Sequence, residues 1–319
     1  MKVRWGLDQL ARLLGELNIE KPFLVASPRW EPPVEVVSRW SEVPSNRIDE
    51  AAAATAGADG LLAIGGGSAS DLAKAISVET SLPVVSVPTT YSGAEWTPSF
   101  GVRDHDRRMR GGGSGANLAG ILYEPELTLG LPNEVTVGTS LNALAHSAEA
   151  LYVKGRNPEG DREALAGARL ISEWLPQVVE RPADLEARRH LLEGAMHAGA
   201  ALASAGLGLG HAMAQALGGR YGLPHGAMNA LSLPQALRFN EPVAGEEIAR
   251  FGEAMGTDDP IGRVEELARL GGFERLRDFG VPEDELEEVA EATRVRPGAR
   301  ANPRPPTLAA LVELLRAMW

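Results

Sequence analysis

At 319 residues, with 44% hydrophobic and 23% charged residues, the chain has the composition of a globular protein filling about two packed domains, not of a disordered or coiled-coil chain. A net charge of −12 without a Lys/Arg-rich stripe argues against a nucleic-acid partner, and the absence of cysteine excludes a disulfide framework and a thiolate metal site. The charged, amphipathic start MKVRWGLDQLARL and the lack of any run of about 18 apolar residues set the expectation of no signal peptide, no membrane span and a cytoplasmic enzyme acting on small molecules.

In chain order, Asp8 to Glu16 reads as a helix with Leu10, Leu13 and Leu14 inward, followed by a strand at residues 22–27. The crossover WEPPVEVVSRWSEVPSN leaves room for only a short helix, about Val34 to Trp40, before a helix near Asp49 to Ala56. The stretch LLAIGGGSASDLAKAIS, Leu61 to Ser77, reads as strand, glycine turn and helix. Gly65, Gly66 and Gly67 remove every Cβ from that turn, so the backbone can take positive φ and an oxyanion can approach the N–H groups. Ser68 is expected to cap the helix, and the positive end of the helix dipole then makes a diphosphate site, with Asp71 beyond it.

A further strand, PVVSVPTT at residues 83–90, completes an alternation that predicts a parallel, right-handed sheet. Ligands sit beyond the carboxyl ends of such strands, which is where the glycine turn and the Thr89-Thr90 pair both fall. The charge- and glycine-rich segment after Phe100 reads as a hairpin and loops, ending in a strand near Gly120 to Tyr123. From Pro132 onward helical patterns take over, at Ser140 to Tyr152, Asp161 to Val179, Leu185 to Ala203 and Pro224 to Phe239. The fold class is therefore an α/β dinucleotide-binding domain with a parallel sheet, residues 1–131, joined to an all-helical catalytic domain, residues 132–319.

The helical part holds five of the six histidines. Asn142 and His146 stand four apart on one helical face, and His211 and His225 are fourteen apart, the latter at a helix start. A lone histidine is more often a satisfied core residue than a catalytic one, but four such groups at these spacings are the candidate chemistry. His105, His190 and His197 have no partner at a meaningful spacing.

The segments GGGSASDLAK, VPTTYSGAEWTP, YEPELTLGLP, SLNALAHSAEALY, GHAMAQALGGRYGLPHGAMNALSLP and ANPRPPT occur in the order shown by the iron-containing alcohol dehydrogenase superfamily, which has a dehydroquinate synthase-like fold. The chain most resembles maleylacetate reductases within it, which share the NALAH, PHG and NPR segments; the N-terminal region matches loosely and is shorter than usual. The resemblance implies NAD(P)H as cofactor, with nicotinamide and substrate in a cleft between the two domains. It places Gly66, Gly67 and Ser68 on the diphosphate and Thr89 and Thr90 along the cofactor, and it implies a homodimer through the dinucleotide domain; the alternation of Val3 and Trp5 in VRWG sets the further expectation of a strand added across that contact.

Metal-dependent relatives place an aspartate where this chain has Asn142, followed by histidines matching His146, His211 and His225. Those four are the ligands if a metal is present, but an amide with three imidazoles lacks the anionic ligand that draws a divalent ion, so firm metal binding is not expected. The position of another histidine often found in metal-dependent members is Gln215, which carries no proton relay. Without a metal, His146, His211 or His225 must serve as general acid while hydride arrives from the nicotinamide. A dicarboxylate substrate calls for cations, and Arg304, then Arg110, are the choices, with Tyr91 nearby in the VPTTYSG segment. No acid follows the second strand at Ser27-Pro28-Arg29, so NADPH is expected to be accepted.

Three functional readings follow: a metal-independent reductase of a small oxo-acid similar to maleylacetate reductase, a metal-dependent alcohol or polyol dehydrogenase on the same scaffold, and an inactive dinucleotide-binding homologue. A lyase resembling dehydroquinate synthase is disfavoured because its substrate-binding lysines are not evident.

Overall fold

The computed structural model describes all 319 residues, and two units emerge from it: Met1–Thr90 with Ala94–Thr128, and Tyr91–Gly93 with Leu129–Trp319. The chain thus leaves the first unit three residues before the sequence boundary at Leu131, and a tripeptide after Thr90 packs with the helical part.

In the first unit the strands are β1 Lys2–Trp5, β2 Pro22–Val25, β3 Ser38–Trp40, β4 Gly60–Gly65, β5 Val84–Pro88, β6 Phe100–Arg103, β7 Met109–Gly113 and β8 Leu118–Tyr123. Six of them form one sheet in the order β1-β8-β5-β4-β2-β3, all neighbours parallel, while β6 and β7 make the expected antiparallel hairpin. Helices α1 Leu10–Glu16, α2 Ile48–Ala53 and α3 Gly67–Thr80 cover it. Strand alternation builds two cores from the two faces of the same strands. Leu24, Leu62, Ile64, Val85, Val87 and Leu122 join Leu10, Leu13 and Leu14 of α1, while Phe23, Val25, Leu61, Ala63 and Val84 join Leu72, Ala73 and Ile76 of α3.

One expectation is corrected here. The helix placed at Val34 to Trp40 does not form: the end of that segment, Ser38–Trp40, enters the sheet as β3 beside β2, and Pro32 and Pro33 deny the start of the segment the N–H groups a helix needs. Its crossover is held instead by Arg39, whose guanidinium donates to the carbonyls of Ser27 and Trp30 and pairs with Glu31. The VRWG segment forms β1, the edge strand of the sheet, paired with β8 on its inner side with Val3 opposite Ile121.

The second unit consists of α4 Asn133–Ala150, α5 Pro158–Glu180, α6 Leu185–Ala205, α7 Leu209–Tyr221, α8 His225–Met255, α9 Pro260–Arg269, α10 Leu286–Arg294, α11 Pro297–Ala301 and α12 Leu308–Ala317. Asn157 and Asp184 cap α5 and α6 by accepting from backbone N–H groups three residues on. The pattern expected to stop at Phe239 continues to Met255, kinked at Ala244 just after Pro242. α4 is almost wholly buried, so it is the central helix against which the others pack.

One close approach positions the site. A Cβ on Gly226 would lie 2.4 Å from the Gly138 carbonyl, so α4 and α8 cross in backbone contact that only glycine allows. Asn142 lies one turn after Gly138, and His225 and Asn229 flank Gly226 on α8. The NPR segment serves the fold as well. Asn302 and Asn240, both fully buried, exchange two hydrogen bonds of 2.9 and 2.7 Å, and Asn302 also donates to the Arg304 carbonyl. Asn302→Ala is expected to lower stability by about 1–3 kcal/mol, because it strands the Asn240 amide in the core; the denaturant midpoint checks this, and an unchanged midpoint would contradict the clamp.

Candidate active site

The glycine turn sits between β4 and α3 at the carboxyl end of the sheet. Gly65 has φ of 156°, and a Cβ there would meet the Ala69 Cβ at 2.8 Å. Gly66 has φ of −81°, so its need for glycine is spatial: a Cβ would lie 2.8 Å from Cγ2 and 3.2 Å from Oγ1 of Thr90. Ser68 is not the cap. Gly66 occupies that position with no side-chain acceptor, Gly67 opens the helix and Ser68 is its second residue, so the first-turn N–H groups are left for a bound anion. The buried hydroxyls of Ser70, Thr89 and Thr90 have no partner, and Thr90 stands directly over Gly66. A bare helix start and unpartnered hydroxyls fit a dinucleotide diphosphate. Asp71 does not belong to this set, since its carboxylate meets Lys74 at 2.9 Å and accepts from the Gly101 N–H, and Lys74 is buried and donates to the carbonyls of Ala94 and Ser99.

In the second unit α4, α7 and α8 bring the three histidines together. His146 and His211 stack with ring centroids 4.6 Å apart and planes 16° apart, and His225 lies 5.9 Å from His211. Behind His211 is Glu149, fully buried, which accepts from the Gly208 N–H at 2.7 Å, the His211 N–H at 3.1 Å and His211 Nδ1 at 2.7 Å. Three donors converging on one carboxyl leave it the acceptor form, so Nδ1 of His211 carries hydrogen, and its buried Nε2 has no protein partner. The GLGLG run explains how α7 reaches Glu149: a Cβ on Gly208 or Gly210 would come within 3.0 Å of the carboxyl group.

Burial, reinforced by the charges His211 and His225 can carry, pushes the His146 pKa well below its ordinary value near 6.5 and keeps that ring neutral. The unfolded chain binds the proton that the folded one refuses, so this contribution to stability is complete above about pH 6.5 and is lost as pH falls through that value. Denaturation free energies measured between about pH 7.5 and 5.5 should fall more steeply for the parent than for His146→Asn; equal slopes would remove His146 from this role.

Asn142 is buried and both its amide atoms are engaged, Nδ2 donating to the Ser92 carbonyl at 2.8 Å and Oδ1 accepting from Asn229 at 2.7 Å. The proposed substrate contacts fare differently. Tyr91 is fully buried with its hydroxyl accepting from Arg188 at 3.0 Å, so it is a core residue. Arg304 lies over the Phe239 ring, 4.3 Å from its centroid, and donates to the Phe239 carbonyl. Fourteen helical residues separate Phe239 from His225, about 21 Å of rise, so Arg304 is out of reach of the histidines. Arg110 is exposed on the hairpin and paired with Asp104 at 2.6 Å. Sequence reading missed Glu149 and Asn229. Their signals were an acid three residues after His146 in an otherwise apolar helix and an amide four residues after His225.

A glycine turn open at a helix start and a cluster of buried histidines suit hydride transfer to a carbonyl, and the chain is an NAD(P)-dependent oxidoreductase, as the similarities that follow show. The family pattern described as iron-containing alcohol dehydrogenase matches residues 6–118, and that of the C-terminal part of the Fe-containing alcohol dehydrogenase family matches residues 136–319. A maleylacetate reductase of Burkholderia cepacia is 40% identical over 250 residues, 78% of this chain and 70% of that protein. Another, of Pseudomonas knackmussii, is 34% identical over 99% of this chain and 94% of its own length. The crystal structure of maleylacetate reductase from Agrobacterium tumefaciens superposes with a TM-score of 0.89 at 29% identity, covering 100% of this chain and 95% of that one. The chain belongs to the iron-containing alcohol dehydrogenase family.

The family name implies a metal, and the donor set does not match one. It lacks a carboxylate, since Glu149 is spent on His211 and two backbone N–H groups. The Asn142 oxygen already faces an amide donor, and the His146 and His211 rings stack face to face.

Proposed function

We propose that this chain is a metal-independent reductase of a small oxo-acid of the maleylacetate type, using NADH or NADPH, in which His211 delivers the proton to the carbonyl oxygen. The observation that carries the reading is the pairing of His211 with the buried Glu149: the carboxyl holds Nδ1 and fixes the ring, leaving the unpartnered Nε2 as the nitrogen through which a proton can pass. When bound, the cofactor supplies the hydride. The chain's own residues hold its diphosphate at Gly65, Gly66 and Gly67 beside Thr90, keep His146 neutral against His211, and hold His211 by two bonds, from its backbone N–H and Nδ1, to the Glu149 carboxyl.

Use of NADPH is part of the same reading, since the turn after β2 carries Arg29, exposed and set over the Trp30 ring at 4.8 Å, and no acid to repel a 2′-phosphate. So are division of labour between a dinucleotide-binding part up to about Leu131 and a catalytic helical part, assembly as a homodimer, and a cytoplasmic location; no helix is long and apolar enough to cross a membrane.

The test is oxidation of NADH and NADPH against a panel of oxo-acids and aldehydes, with elemental analysis and activity before and after chelation. Activity is expected with an oxo-dicarboxylate and is expected to survive exhaustive chelation. About one tightly held ion per chain, with activity lost when it is stripped, would replace this reading by the metal-dependent alcohol dehydrogenase one. Asn142→Asp sharpens the test. It sets an oxygen against the Ser92 carbonyl at the 2.8 Å where an N–H now stands, which is expected to cost about 1–3 kcal/mol without metal. The new carboxylate supplies the missing anionic ligand, so zinc or ferrous ion should raise the melting temperature of the variant and leave that of the parent unmoved.

A further inference from the structure

Asn229 is fully buried on α8, with Nδ2 placed 2.7 Å from Oδ1 of Asn142, 3.1 Å from Nε2 of His225 and 3.3 Å from the His225 carbonyl. The two ends of a carboxamide have nearly the same shape, so its orientation is decided by its neighbours. Here the chain of neighbours starts from a group with no choice. The Ser92 carbonyl only accepts, so the Asn142 atom 2.8 Å from it is the NH2. The other end of Asn142 is then its oxygen, and the Asn229 atom facing that oxygen must donate. The second hydrogen of that NH2 is shared between Nε2 of His225 at 3.1 Å and the His225 carbonyl at 3.3 Å, and a hydrogen on Nε2 would set two donors face to face at 3.1 Å, so Nε2 is the accepting nitrogen. Turning either amide over would set two acceptors or two donors face to face in a buried place.

We propose that Asn142 and Asn229 are positioning residues that pass the polarity of the Ser92 carbonyl to His225 and hold its ring in the tautomer with hydrogen on Nδ1. The proposal rests on reading the three histidines as the reacting site, and it does not depend on which oxo-acid is reduced. It gives His225 and His211 opposite settings. Nδ1 of His211 is held by a carboxyl, and Nε2 is the atom left for proton transfer. The lone pair on Nε2 of His225 is occupied by an amide, so that ring serves as a fixed hydrogen-bond donor and not as a base.

The experiment uses full-length protein labelled with ¹⁵N at its six histidines, read by long-range ¹H–¹⁵N correlation at about pH 8, where ordinary imidazoles are neutral. The His225 signals are assigned by their loss in His225→Gln. The expected result is a protonated Nδ1 and a bare Nε2. Asn229→Asp puts an acceptor where the NH2 stood and is expected to reverse the pattern, drawing the hydrogen to Nε2, while Asn229→Ala should leave a mixture. Hydrogen on Nε2 in the parent protein overturns the proposal, as does an unchanged pattern in a folded Asn229→Asp. Should neither variant fold, the parent spectrum decides alone. A failed substrate panel with the expected spectrum would count against the activity and leave this assignment standing.

Discussion

His211→Asn is expected to lower kcat by about 10²–10⁴-fold while leaving the melting temperature and the NAD(P)H dissociation constant close to those of the parent. Asparagine keeps an N–H donor where Nδ1 meets Glu149, so the buried carboxyl still has its three hydrogen bonds and the fold has no unpaired group to expel. It lacks any counterpart of Nε2, the buried and unpartnered nitrogen that the proposed function makes the proton donor. Because that proton is needed only as charge develops on the carbonyl oxygen, the loss should fall on kcat and spare cofactor binding. His146→Asn serves as the comparison: its ring is held neutral, so its removal should cost much less. Steady-state kinetics on both variants, with thermal melts alongside, decide the matter. A His211→Asn enzyme within about threefold of the parent, or a greater loss in His146→Asn, would move the proton donor elsewhere.

The second large effect is expected at the glycine turn. Gly66→Val should raise the dissociation constant for NADH and NADPH by at least about 100-fold, or ~2.7 kcal/mol, with the sheet intact. The reason is steric, not conformational. Valine has no difficulty with φ of −81°, but its Cβ would lie 2.8 Å from Cγ2 of Thr90 and its methyl groups would extend into the space above the helix start. Thr90 must then move, and with it the unpartnered hydroxyl that faces the turn. Isothermal titration with each cofactor measures the loss, and circular dichroism shows whether the fold persists. Unchanged affinity in a folded variant would remove the diphosphate from this turn.

The glycine turn shows how local pattern and tertiary contact divide the information. Three glycines between an apolar run and a helical pattern announce the turn, but which of them needs positive φ and which needs space follows from Ala69 and Thr90, the second of which lies on another strand's end. Ser68 is displaced from the expected cap for the same reason: the register of the first turn depends on how β4 delivers the chain, and that puts Gly66 at the cap. In the crossover after β2 the helical spacing yields to the sheet edge beside it. With β2 offering unpaired backbone groups, residues 38–40 gain more as a strand than as part of a turn of helix.

The site residues divide along the same line. Asn142 and His146 on one helical face, and His225 opening a helix, were legible because their relation is one of spacing along a single element. The partner of His211 was not, since Glu149 lies 62 residues away on another helix and meets it only because the glycines at 208 and 210 let α7 approach. Arg304 looked like a substrate cation from its motif alone, yet the length of α8 sets it far from the histidines, against Phe239. Tyr91, adjacent in sequence to Thr89 and Thr90, turns into the core toward Arg188.

By itself the sequence determined the alternation of strands and helices, the glycine break between β4 and α3, and the residue types able to do chemistry, because each of these is written in spacings of a few residues that local backbone geometry converts directly into structure. The tertiary structure alone decided which nitrogen of each histidine is held and by what, which polar residues are spent on the fold, and that the Asn142 amide points its N–H at the Ser92 carbonyl and its oxygen at Asn229. Those choices depend on which donor meets which acceptor when helices distant in sequence pack, and a buried polar group takes its role from that neighbour rather than from its place in the chain.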